Sequence, residues 1–227
     1  MSAASPHRAA LAALMDHTLL TPEAGVAAVR RACEEGRAWG CASVCIHPRW
    51  VPVAARILQD SPTRVCTVIG FPHGATTPGV KAHEANEAIE AGAAELDMVL
   101  SLGPLCDGDD RAVAADIEAV VRAANRVPVK VIVESGLLDT PRLVRACAIA
   151  RDAGARFVKT STGFASVGAT IAAVQTMRAT VGDALGVKAS GGIRTLAQAR
   201  AMIDAGASRL GTSRTGEILQ ACPADIP

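Results

Sequence analysis

The sequence predicts a single α/β domain folded as a closed (β/α)8 barrel, the TIM-barrel architecture. Three observations predict it: eight short apolar runs of strand length, segments of helical periodicity between them, and a phrase that recurs where helix passes into strand. Strands buried on both faces read as near-continuous apolar runs, and alternation with helices makes the sheet parallel. Eight such units fit closure into a barrel, and 227 residues fall within the usual length of that fold. An open doubly wound sheet is the competing architecture.

The strands are expected at Asp16–Leu19, Ser43–Ile46, Val65–Ile69, Glu95–Val99, Val129–Val133, Phe157–Thr160, Gly186–Ala189 and Arg209–Gly211. Helix starts are marked by a hydroxyl before a proline, at Thr21-Pro22, Thr77-Pro78 and Thr140-Pro141. The hydroxyl caps free N–H groups and proline suits the first helical position. Thr195 with Gln198 forms a capping-box pattern. Helix ends carry the recurring phrase: Ala91-Gly92-Ala93-Ala94-Glu95-Leu96-Asp97, Ala153-Gly154-Ala155-Arg156-Phe157-Val158-Lys159 and Ala205-Gly206-Ala207-Ser208-Arg209-Leu210-Gly211. Trp39-Gly40-Cys41-Ala42-Ser43-Val44-Cys45 is a looser copy. Its glycine reads as a helix stop in the left-handed conformation. No linker or charge block divides residues 1–227; residues 1–12 read as an N-terminal extension and 216–227 as a C-terminal tail.

Composition excludes several function classes. The net charge is +1 and aromatics make up 2%, so the basic field and stacking platforms of a nucleic-acid binder are missing. No apolar run approaches the roughly 20 residues that cross a bilayer, and a soluble protein is expected. Seven cysteines, an odd number with no CxxC pair, read as reduced thiols of a cytosolic protein. The five histidines are dispersed, so no metal site is expected. Of 23 basic residues, 19 are arginine and four are Lys81, Lys130, Lys159 and Lys188. A chain that uses arginine for its surface cations invites the question of what each amine does.

The repeat places Cys45, Asp97, Lys159 and Gly211 five residues after its glycine, at the C-terminal ends of strands where barrel active sites are built. Side chains alternate along a strand, so Glu95, Asp97 and Val99 share a face, as do Phe157 and Lys159. Lys159 and Lys188 both end apolar strands and run into small hydroxyl or glycine residues. One reading is ion pairing at the barrel rim. The other is Schiff-base catalysis, in which a neutral amine attacks a carbonyl and the iminium becomes an electron sink. A lysine of ordinary pKa, about 10.4, is neutral in about one molecule in 2,500 at pH 7, and lowering the pKa to about 7 takes roughly 4–5 kcal/mol. A second ammonium nearby supplies much of that, so two lysines on nearby strand ends explain each other. Asp97 is expected as a salt-bridge partner of Lys130 and as a proton donor and acceptor. Lys81 reads as a helix-face charge.

Ser190-Gly191-Gly192 follows the seventh strand and Gly211-Thr212-Ser213-Arg214 the eighth. The loops after these strands often cradle a phosphate in such barrels, because glycine lets backbone N–H groups approach the anion. Arg194 or Arg214 offers a further charge. The expected ligand is a small phosphorylated carbonyl compound.

Taken in order, Asp16-His17-Thr18-Leu19-Leu20, Val44-Cys45-Ile46-His47-Pro48, Val68-Ile69-Gly70-Phe71-Pro72-His73-Gly74, Glu95-Leu96-Asp97-Met98-Val99, Val158-Lys159-Thr160-Ser161-Thr162-Gly163-Phe164 and Val187-Lys188-Ala189-Ser190-Gly191-Gly192 make the chain resemble the bacterial deoxyribose-phosphate aldolases, from about Met15 to Arg214. The resemblance implies cleavage of 2-deoxy-D-ribose 5-phosphate to D-glyceraldehyde 3-phosphate and acetaldehyde, with no metal or organic cofactor. It places the Schiff-base lysine on Lys159, the second catalytic lysine on Lys188 and the acid/base aspartate on Asp97. Phosphate contacts fall on Gly191, Gly192, Gly211 and Ser213, with Lys130, Thr162, Cys45 and Asp16 in support. A homodimer is what the family suggests.

Two departures stand out. Some relatives carry a lysine where this chain has Phe164, and some end in a tyrosine, of which this chain has none. Arg214 is the candidate replacement for the missing phosphate charge. Cys45 reads either as a small core residue or as a thiol near the reacting carbon. The competing functions are another Schiff-base aldolase or transaldolase on a phosphorylated sugar, a metal-dependent aldolase, and a non-catalytic phosphosugar-binding barrel.

Overall fold

The computed structural model describes residues 7–223. Its strands are β1 Met15–Leu19, β2 Ser43–Ile46, β3 Arg64–Ile69, β4 Glu95–Val99, β5 Val129–Ile132, β6 Phe157–Lys159, β7 Gly186–Ser190 and β8 Arg209–Thr212. They form a closed barrel in sequence order, and β8 pairs in parallel with β1 through Met15 and Leu210, Asp16 and Gly211, and His17 and Thr212. Each expected strand is present with its ends displaced by at most one residue. The helices are α1 Arg8–Ala12, α2 Val26–Trp39, α3 Val51–Ile57, α4 Pro78–Glu90, α5 Leu102–Asp107, α6 Asp110–Ala124, α7 Thr140–Asp152, α8 Ile171–Val181, α9 Leu196–Asp204 and α10 Thr215–Ala221.

All four repeat glycines, Gly40, Gly92, Gly154 and Gly206, have positive φ, between 70° and 111°. The helix starts divide. Thr77 caps α4 through Val80 N–H, and Thr195 with Gln198 forms the full capping box of α9. Thr21-Pro22 opens a turn instead, closed by the Ala24 N–H to Thr21 carbonyl bond, and α2 begins at Val26. At α7 the cap is Asp139, whose carboxylate accepts from Arg142 N–H, and Thr140 is already helical. A proline fixes its own φ but equally suits a turn, so a hydroxyl-proline pair marks a chain reversal more generally than a helix.

The described parts of the two end segments pack on the barrel. Leu11 and Ala12 of α1 and Ile218 and Leu219 of α10 are buried, and the Arg8 guanidinium donates to the Cys222 carbonyl at 2.9 Å. The remainder of the expected extension and tail, residues 1–6 and 224–227, lies outside the described residues.

Outward-facing strand residues such as Val44, Leu96, Val131, Val158 and Leu210 join the apolar layer beneath the helices. Inside the barrel, Leu20, Cys45, Cys66 and Val68 form a small apolar cluster with Phe71 against them. Beside it lies an ionic set: Asp16, Glu95, Asp97, Lys130, Lys159 and Lys188 are all buried. Such residues are almost never fully buried unless paired. Two glycines make room for inward-facing side chains. A Cβ on Gly186 would sit 2.1 Å from the Phe157 ring, and one on Gly211 would sit 3.0 Å from Lys188 Cε.

Lys81 corrects an expectation. It is not a helix-face charge: it is fully buried and donates to Val99 O at 2.9 Å, Ser101 Oγ at 3.2 Å and Asp116 Oδ2 at 2.6 Å. The side of α4 that carries it faces α6 and the end of β4, where Asp116 supplies the opposite charge. Burial holds its pKa below the ordinary 10.5 in spite of that carboxylate.

Candidate active site

Lys159 and Lys188 are in-register partners on β6 and β7, so their side chains leave neighbouring strands toward the same face. Both amines donate to one atom, Asp97 Oδ2, at 2.8 and 2.6 Å. Lys130, paired in register with Asp97 on β5 and β4, donates to Asp97 Oδ1 at 2.9 Å and reaches Glu95 Oε2 at 2.6 Å. Lys188 also contacts Asp16 Oδ2 at 2.5 Å, and Arg209 closes the network on Asp16 Oδ1 at 2.7 Å and Glu95 Oε2 at 3.1 Å.

Burial by itself would raise the pKa of Asp97, but Lys130, Lys159 and Lys188 hold it well below the usual 3.8. Burial would likewise push Lys188 and Lys130 down. The carboxylates win: Asp16 and Asp97 raise Lys188, and Asp97 leads in raising Lys130 well above 10.5. Three carboxylates, Asp16, Glu95 and Asp97, thus face Lys130, Lys159, Lys188 and Arg209, and Glu95 also meets the exposed Arg64 at 3.5 Å.

Cys45 and Cys66 are register partners beside this cluster. The Cys66 thiol lies 3.2 Å from Asp97 Oδ1 and accepts from Lys130 Nζ at 3.4 Å. A hydrogen bond from Cys66 lowers the Cys45 pKa, and burial raises that of Cys66. Two donor groups reach metal-ligand proximity, Cys45 with Cys66 and Asp97, and Asp16 with Cys66 and Glu95, each set within 4.8 Å. Every carboxylate in them is already bonded to an ammonium or guanidinium, whose charge opposes a metal cation.

Above the cluster opens a cavity of about 310 Å³ that runs from Lys159 past Thr162 to Gly191, Gly192, Gly211 and Ser213. It joins the amine cluster to the expected glycine cradle. Thr18 and Leu20 line it from the β1 side and Phe164 from the β6 side. Arg194 lines it too, whereas the Arg214 guanidinium turns to Glu217 at 2.6 Å on the surface. Arg214 does not line the cavity in this geometry. Two larger hollows, 440 Å³ beside His73 and His83 and 510 Å³ beside Arg8 and Trp39, are lined by neither Lys159 nor Lys188.

The structure thus brings together Asp16, Cys45, Asp97, Lys130, Lys159 and Lys188. Sequence reasoning missed the site roles of Glu95, Arg209 and Cys66. Glu95 and Arg209 carried a usable signal, since each precedes by two residues a repeat position that points into the barrel. Cys66 carried none.

A model of the DeoC/LacD family aldolases matches residues 7–219. The chain belongs to that aldolase family. This aldolase is 52% identical over 211 residues to a deoxyribose-phosphate aldolase of Geobacillus sp. (strain WCH70), covering 92% of this chain and 95% of the relative. It is 52% identical over 205 residues to the deoxyribose-phosphate aldolase of Halalkalibacterium halodurans, covering 89% and 92%. The aldolase barrel also superposes on the deoxyribose phosphate aldolase of Aeropyrum pernix, whose structure is described as tetrameric, with a TM-score of 0.88, 34% identity, and coverage of 94% and 91%. Among the described residues of the aldolase, no helix is long and apolar enough to cross a membrane.

Proposed function

We propose that this aldolase cleaves 2-deoxy-D-ribose 5-phosphate reversibly to D-glyceraldehyde 3-phosphate and acetaldehyde through a lysine imine, without metal or organic cofactor. The observation that carries this is the single Asp97 oxygen shared by Lys159 and Lys188 at one end of a cavity whose other end is a glycine cradle. Lys159 is the nucleophile because it lines the cavity, while Lys188 is held as an ammonium between Asp16 and Asp97. Lys130 and Arg209 balance the remaining carboxylates.

The Lys159 amine adds to the C1 aldehyde of the open-chain sugar, and the carbinolamine loses water to give an iminium. The Asp97–Lys188 pair takes the proton from the C3 hydroxyl. The C2–C3 bond breaks, its electron pair passes into the iminium to give an enamine, and glyceraldehyde 3-phosphate leaves. Protonation at C2 and hydrolysis release acetaldehyde and restore the amine. Gly191, Gly192, Gly211 and Ser213 hold the phosphate through backbone N–H groups and a hydroxyl, with Arg194 adding charge. Seven free thiols, six of them buried, suit a reducing cytosol.

Borohydride reduction in the presence of acetaldehyde, followed by peptide mapping, tests class and nucleophile together. A two-carbon adduct on Lys159 is expected; an adduct on another residue, or loss of activity to a chelator, would overturn the reading.

A further inference from the structure

Glu134 is a buried carboxylate at the barrel mouth for which the reaction above has no task. It follows β5 with φ +50° and ψ +57°, a left-handed conformation that residues with side chains seldom adopt. Its exposure is 3%. Both oxygens turn to Thr162: Oε1 accepts from the Thr162 N–H at 3.3 Å, and Oε2 accepts from the same N–H at 3.2 Å and from the hydroxyl at 2.5 Å. With its proton given to Glu134, the Thr162 hydroxyl accepts from Phe164 N–H at 3.1 Å. One side chain thereby fixes the backbone on both sides of Gly163.

The segment it fixes is the wall of the cradle. A Cβ on Gly191 would fall 3.0 Å from Gly168 Cα, 3.4 Å from Ser161 Cβ and 3.6 Å from Gly163 Cα. Ala169 N–H donates to the Gly191 carbonyl at 3.0 Å. Lys159 stands three residues before Thr162 on the same run of chain. The spacing between the amine and the N–H groups of Gly191 and Gly192 thus depends on where Thr162 is held.

We propose that Glu134 is a positioning residue for the phosphate end of the site, acting through Thr162 to set the 161–164 segment against Gly191 and Gly192. The inference rests on the aldolase reading above. A phosphorylated substrate loses its anchor when that segment shifts, whereas an unphosphorylated one has no such anchor to lose. Glutamine in place of Glu134 keeps the shape but removes the charge that draws three bonds from one threonine.

The test compares 2-deoxyribose 5-phosphate with 2-deoxyribose in the wild type, Glu134→Gln, Thr162→Val, Thr162→Ser and the Glu134→Gln/Thr162→Val double variant. Glu134→Gln is expected to raise KM for the phosphorylated sugar about tenfold and to lower its kcat/KM advantage over the unphosphorylated sugar by a similar factor. The inhibition constant of inorganic phosphate should rise in step. Thr162→Ser, which keeps the hydroxyl, should retain the preference for the phosphorylated sugar, Thr162→Val should show the phosphate-selective loss, and the double variant should be no worse than the poorer single one. Equal loss on both sugars, an unchanged phosphate constant, or additive losses would overturn the proposal. If Glu134→Gln does not fold, the contrast of serine with valine at 162 decides, and equal behaviour of those two overturns it. A wild type inactive on both sugars would instead count against the aldolase reading.

Discussion

Lys159 and Lys188 are hydrogen-bonded to the same oxygen of Asp97, from adjacent strands and in register. An amine that must be uncharged to react is thereby fixed next to one that two carboxylates keep charged. Replacing Lys188 with Met should remove the standing cation and one arm of the proton path. A loss of about 10²–10⁴-fold in kcat is expected, with folding retained in a thermal melt; activity within a few-fold of wild type would remove Lys188 from the mechanism.

Asp97 is the hub of the cluster, so Asp97→Asn should affect rate and stability together. Turnover should fall by about 10²–10⁴-fold. Because a buried carboxylate partner is removed from Lys130, Lys159 and Lys188, stability should fall by about 3–5 kcal/mol, measured by urea denaturation.

Gly211→Ala tests the crowding around Lys188. The added methyl would lie 3.0 Å from Lys188 Cε and 2.9 Å from Ser190 Cβ. Overpacking should lower stability by about 1–3 kcal/mol, and displacement of the ammonium should lower kcat about 100-fold. A variant with unaltered kcat in steady-state assay would show that the lysine has freedom the geometry denies it.

Lys81→Met should strand Asp116 in an apolar setting and lower stability by about 3–5 kcal/mol. The Lys81→Met/Asp116→Leu double variant should recover much of the loss. Denaturation midpoints of the two variants check this: a double variant as unstable as the single would mean that the bonds to Val99 and Ser101, not the charge pair, carry the contribution.

His17 governs a pH dependence of stability. Its Nδ1 meets Thr215 Oγ1 at 3.0 Å, its Nε2 lies 3.4 Å from Glu35, and the Trp39 ring stands edge-on at 5.2 Å. Burial lowers its pKa below the ordinary 6.5, against the pull of Glu35. The unfolded chain therefore binds the proton more readily, so the His17 contribution is full above pH 6.5 and is lost as pH falls below that value. Denaturation midpoints at pH 8 and pH 5 should differ less in His17→Gln than in the wild type.

The strands, their closure and the two lysines were legible because a barrel repeats its unit, and repetition exposes positions where the residue type breaks the pattern. Asp97, Lys159 and Gly211 stand out for that reason, and the geometry joins all three to Lys188. Lys81 was not legible. Its partner Asp116 lies 35 residues away on another helix, and helical periodicity alone does not say which polar residue on a face will find such a partner. Thr21 and Thr140 misled because proline and hydroxyl residues serve turns and helix starts alike. Glu134 showed no sign of its bond to Thr162, since the residues after β5 and β6 meet only once those two strands pair.

The ionic interior carries a consequence for anyone who wishes to make this protein hardier. In most barrels the lumen is an apolar plug that can be repacked with larger or better-fitting hydrocarbons. Here the ionic cluster around Asp97 shares the lumen with only a small apolar group, so protein engineers have little room there: a substitution next to the cluster also rewires it. Gains in heat tolerance must come from the outer jacket, at positions such as the bare cap of α2, where Gly25 makes no side-chain bond to the first helical turn.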